Sequence, residues 1–95
     1  ELIDLRTIAP WDRSTIITSV IKTGRCLIVH EDNLTAGFGA EIGATVAQEV
    51  FWHLDAPVVR LAPYDIPMPY HPDLLEAVLP STTRIGAAIE SLLAQ

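Results

Sequence analysis

Apolar and polar positions change period several times along the 95-residue chain, and each change marks an element. "LIDLRT" at 2–7 alternates apolar with polar residues, as a strand with one wet face does. Pro10 closes it. Asp12 then stands where a helix N-cap is expected, ahead of Ile16, Ile17, Val20 and Ile21 on one helical face. Thr23-Gly24 ends that helix, because glycine takes the left-handed cap conformation without penalty. "CLIVH" at 26–30 is continuously apolar until its last residue, the signature of a parallel strand covered on both faces.

A polar turn with Gly37 and Gly39 leads into a helix predicted over 38–54. Its polar residues Glu41, Thr45, Gln48 and Glu49 form a narrow stripe, and the remainder is apolar or small. Such a helix is buried on more than one side, which in a chain this short implies a partner surface. Phe38, Ile42, Val46, Val50 and Trp52 are the candidates for that interface. "PVVRLA" at 57–62 reads as a third strand. Four prolines between 63 and 73 predict a stiff loop, and a weak helical turn follows at 74–78. Ser81-Thr82-Thr83 opens a last helix with Ile85, Ala88, Ile89, Leu92 and Leu93 inward. Strand and helix alternating three times predicts an α/β fold with a parallel sheet.

Composition narrows the functions open to such a fold. At 49% hydrophobic residues the chain can build a core, and its longest apolar runs are too short to cross a bilayer. Net charge is −6, with six basic residues scattered along the chain, so neither a nucleic-acid footprint nor a contact with an anionic membrane is expected. The single cysteine, Cys26, excludes an internal disulfide and fits a reducing compartment.

The candidate chemistry is thin. "AGFGAE" opens a helix, and free N–H groups there can hold phosphate. It lacks the third glycine of a dinucleotide fingerprint and the Lys-Ser/Thr of a P-loop, so the glycines read first as a tight joint. His30-Glu31 sits at the carboxyl end of a strand, where α/β sheets place ligands. Consecutive strand residues point to opposite faces, so the pair does not converge on one atom. His53 and His71 have no metal-ligand spacing around them, and Cys26 lies in an apolar strand. Asp55 precedes Pro57 in a short link; it reads as an exposed carboxylate or a contact for a basic partner.

Five ordered blocks, "DLRTIAPWD", "SVIKTGRCLIVHE", "TAGFGAEI", "LDAPVVRL" and "YDIPMPY", resemble the C-terminal domain of the beta subunit of the decarboxylating component of 2-oxo acid dehydrogenase complexes. The similarity covers essentially residues 1–95; Pro-Trp-Asp at 10–12 and His-Glu at 30–31 look closest to the branched-chain type, with the pyruvate and acetoin types open beside it. The resemblance implies a three-layer α/β/α domain with a mostly parallel, transketolase C-terminal-like sheet. It implies an enzyme that uses thiamine diphosphate and Mg²⁺ to decarboxylate a 2-oxo acid and passes the acyl group to a lipoyl arm. It also implies that this region carries no catalytic, cofactor or metal residue and binds no cofactor alone. Its role would be assembly: contacts with an alpha subunit or alpha-like region and a second beta subunit in a heterotetramer, and docking of the acyltransferase's subunit-binding domain, with Asp55 as the matching acidic position. The compartment implied is the bacterial cytoplasm or the mitochondrial matrix.

The family domain has further strands before "IDLR", one of them between that strand and "CLIVH". The chain is therefore expected to be a partial domain, a fragment of a longer subunit, with the missing strand supplied by another segment. The alternative from a different class is an independent small α/β binding module that uses the Gly37–Gly39 turn for an anion or nucleotide.

Overall fold

The computed structural model describes residues 1–63, 73 and 79–95. Helix α1 spans Arg13–Thr23. Asp12 caps it by accepting from the Thr15 backbone N–H, and Gly24 ends it with φ 76°, its N–H donating to the Val20 carbonyl. Strand β1 is Leu27–Val29, helix α2 is Phe38–Val50, strand β2 is Val59–Leu61, and helix α3 is Thr82–Leu93. Ser81 caps α3 through its hydroxyl, which accepts from the Arg84 N–H at 3.1 Å.

β1 and β2 pair in parallel, with Ile28 opposite Arg60. Ile28, Val58 and Arg60 lie against Gly43 of α2, and Ile28 with His30 against Gly39, so these residues face that helix. By alternation Leu27, Val29, Val59 and Leu61 face the other side, where α3 packs. A parallel sheet between helices is the predicted α/β arrangement. α1 lies against α2. The core forms between them and the sheet from Val20, Cys26, Ile42, Val46 and Val50, with Leu5, Trp11 and Phe38 packed on its margin. The Trp11 and Phe38 rings meet edge to face at 6.1 Å.

Residues 2–7 are not a strand. Arg6 has φ 60°, the Thr7 N–H donates to the Leu5 carbonyl at 2.6 Å, and Leu2 is fully exposed. A strand exists only where a neighbour takes up its N–H and C=O groups. No backbone hydrogen bond among the described residues joins 2–6 to β1, whose second edge is unpaired among them. The segment is held by Leu5 on the core and by Lys22, which donates to Glu1 at 2.8 Å. The other strands are shorter than predicted, at three residues each.

α3 corrects a second expectation. Leu92 is buried and Ile85 and Ala88 are half-buried, but Ile89 and Leu93 are exposed, because the two-stranded sheet covers only a narrow stripe of the helix. The proline loop and the turn at 74–78 lie outside the described residues, apart from Pro63, which is buried, and Asp73.

Candidate docking surface

α2 stops at Val50, which is 1% exposed, and the chain tightens into a single 3-10 turn over Phe51–His53. The Leu54 N–H donates to the Phe51 carbonyl at 3.2 Å, and Leu54 returns to the core. Between these two anchors the intervening side chains point outward. Phe51 is 59% exposed and Trp52 is 91% exposed, with ring centroids 5.0 Å apart and planes at 80°. Edge-to-face contact is the arrangement the ring quadrupoles favour.

Asp55 follows. Its N–H donates to the Gly24 carbonyl at 2.7 Å, and its carboxylate lies over Gly24, where a Cβ would stand 2.3 Å from Oδ2. Arg25 approaches that same oxygen at 3.8 Å. Arg25 is itself fixed: Nε donates to the Leu92 carbonyl at 3.1 Å and Nη2 to the Gln95 carbonyl at 2.8 Å. The C-terminal turn of α3, the end of α1 and Asp55 are thereby tied at one guanidinium. The Asp55 side chain stays 65% exposed, against 27% for Arg25.

Charge over the described residues is one-sided. Each of the six basic side chains has an internal partner: Arg6 with Asp4, Arg13 with Glu49, Lys22 with Glu1, Arg25 as above, Arg60 donating to the Leu34 carbonyl at 2.7 Å, and Arg84 to the Ala62 carbonyl at 3.5 Å. Glu31, Asp32, Glu41 and Glu90 are all exposed, so the acidic excess faces solvent.

The glycine turn is a packed joint. A Cβ on Gly37 would meet the Asn33 carbonyl at 1.8 Å, and one on Gly39 would meet His30 Nε2 at 2.2 Å. The His30 ring fills the space beside the start of α2, and neither ring nitrogen has a hydrogen-bond partner in the structure. Glu31 points to solvent, so the two residues do not converge. Thiamine diphosphate with Mg²⁺ needs room for a diphosphate and oxygen ligands for the metal. The imidazole takes up the room at this turn, and no group of three or more His, Cys, Asp or Glu among the described residues is arranged to hold a metal ion. The glycine turn therefore has no room for the diphosphate.

The interface candidates separate in the structure. Ile42, Val46 and Val50 are at most 6% exposed and belong to the chain's own core, and Phe38 is half-buried against Trp11. Trp52 alone of the five is fully at the surface. The exposed side of α2 carries Glu41, Ala44, Ala47, Gln48 and Glu49, so the helix is covered on one broad side by α1 and the sheet. Phe51 and Arg25 escaped the sequence reading. Phe51 looks like any apolar helix residue, and Arg25 acts across 67 and 70 positions, a link no local pattern signals.

Known proteins place this arrangement. Residues 1–85 match the family described as transketolase, C-terminal domain. The 2-oxoisovalerate dehydrogenase subunit beta of Pseudomonas aeruginosa is 44% identical over 93 residues, 98% of this chain and 26% of that protein. The mitochondrial 2-oxoisovalerate dehydrogenase subunit beta of Dictyostelium discoideum is 51% identical over 82 residues, 80% of this chain and 22% of that protein. The pyruvate dehydrogenase E1 component subunit beta of Rhizobium meliloti is 42% identical over 92 residues, 97% of this chain and 20% of that protein. The chain thus spans about a quarter of the length of these relatives or less. With a helix-flanked parallel sheet and a family match over residues 1–85, the chain belongs to the transketolase C-terminal domain family.

Proposed function

We propose that this chain is the assembly domain of the beta subunit of a thiamine-diphosphate-dependent 2-oxo acid dehydrogenase, and that it carries no catalytic residue. The whole enzyme would decarboxylate a 2-oxo acid oxidatively and pass the acyl group to a lipoyl arm. Thiamine diphosphate and Mg²⁺ would be held elsewhere in it. Relatives in bacteria and in mitochondria support the bacterial cytoplasm or the mitochondrial matrix as its place. The partners in this reading are an alpha subunit, a second beta subunit and the subunit-binding domain of the acyltransferase. Residues 1–95 are then a partial domain, and the unpaired edge of β1 takes a strand from another segment of the subunit.

One observation carries the docking part of this reading: Asp55 is exposed yet held, by Gly24 behind it and Arg25 beside it, in a chain whose net charge is −6. A preorganised carboxylate loses little freedom when a cation binds it. The test is calorimetric titration of the full-length enzyme with the acyltransferase's subunit-binding domain. Asp55→Asn should weaken binding, and raised salt should shrink the difference between the two proteins. Equal affinity for the two at low salt would refute a docking role for Asp55.

A further inference from the structure

The Phe51–Trp52 pair is the largest exposed aromatic feature among the described residues, and the docking reading of Asp55 leaves it without a task. Trp52 is almost wholly in water although both flanks of its turn are anchored, Val50 in the core and Leu54 at its margin. The ring also packs against Phe51 in a T-shaped contact, which limits its freedom before anything binds. Trp52 and Asp55 are three positions apart, so their Cα atoms are no more than roughly 11 Å apart. One short partner segment reaches both.

Chemistry selects the occupant. The indole face is the strongest aromatic acceptor for a cation, and Asp55 beside it is a carboxylate. Because all six basic side chains already have internal partners and the exposed excess is acidic, the complementary segment is cationic. A second copy of this chain would bring the same acidic excess and the same carboxylate to the contact.

We propose that Trp52, braced by Phe51, receives a lysine or arginine side chain of a basic docking segment while Asp55 pairs with a second cation of that segment. This rests on the docking reading above and gives it an aromatic half. Exposed tryptophans that become covered on binding dominate interface energetics, whereas rim charges mostly set the rate and the salt dependence of association.

The experiment uses the full-length enzyme assembled with its partner subunit, and the acyltransferase's subunit-binding domain as titrant in a calorimeter. Trp52→Ala should weaken binding at least about tenfold, with most of the loss persisting in high salt. Trp52→Phe, which keeps an aromatic face of lower cation affinity, should recover part of it. If Trp52→Ala binds within about twofold of the unaltered enzyme while Asp55→Asn loses affinity, the aromatic half is wrong and the docking reading stands. If neither substitution changes affinity, the docking reading fails and this inference with it. If Trp52→Ala makes the enzyme sediment as smaller species, Trp52 is a contact between subunits and the inference is overturned.

Discussion

The imidazole of His30 occupies the place where a side chain on Gly39 would begin: a Cβ there would stand 2.2 Å from Nε2. The end of β1 and the start of α2 are thus matched to each other across the eight-residue connection 30–37. Gly39→Ala should destabilise the fold by about 1–3 kcal/mol, the usual cost of overpacking a filled site. His30→Ala opens room for the added methyl, so the double substitution should cost less than the two single costs added. Urea unfolding of the four proteins measures the coupling; simple additivity would show that the ring and the glycine are independent.

Gly24 carries two constraints at once, a left-handed φ of 76° and the Asp55 carboxylate in its Cβ space. Gly24→Ala should therefore cost at least about 1 kcal/mol from backbone strain alone. It should also displace Asp55 and weaken docking alongside stability. Thermal unfolding and the docking titration, run on the same protein, check both; a variant that loses stability and keeps full affinity would separate Asp55 from its glycine seat.

The cap of α1 gives a pH dependence with a definite sign. Hydrogen bonds from the Thr15 side chain, and then from its backbone N–H, hold the Asp12 carboxyl below its ordinary value of 3.8. A group whose folded pKa is depressed contributes stability above its unfolded pKa and loses it as pH falls through the folded value. Asp12→Ala should lower Tm at neutral pH, and the gap to the unaltered protein should close as pH drops below 3.8. A gap that stays constant through that range would mean that the carboxylate's charge does nothing for the cap.

Cys26 should behave as an inert core thiol. It is buried, and burial pushes its pKa up, which keeps it protonated and unreactive at neutral pH. Alkylation by iodoacetamide should track global unfolding in urea. Rapid labelling of the folded protein would show that the core around Val20 and Ile42 opens locally.

Much of this was legible in the chain. Asp12, Gly24 and Ser81 marked helix ends because capping is local chemistry, and "CLIVH" and "PVVRLA" marked strands because a covered parallel strand is apolar throughout. "LIDLRT" misled because strand pairing depends on a neighbour: its alternation fits a strand, yet the described chain gives it none. The apolar pattern of α2 predicts a partner surface, whereas α1 and the sheet use most of it. Asp55 and Trp52 were legible as candidates from type and place. Their bracing by Arg25 and Phe51 was not, since the first spans the chain and the second depends on a 3-10 turn that ends α2 early.

Hydrogen exchange on the full-length enzyme tests the central claim, that this domain serves assembly and leaves the cofactor to the rest of the protein. Adding the acyltransferase's subunit-binding domain should slow exchange across residues 51–55. Adding thiamine diphosphate and Mg²⁺ should leave residues 30–39 unchanged. Protection of 30–39 by the cofactor, with none at 51–55 from the docking domain, would contradict the account.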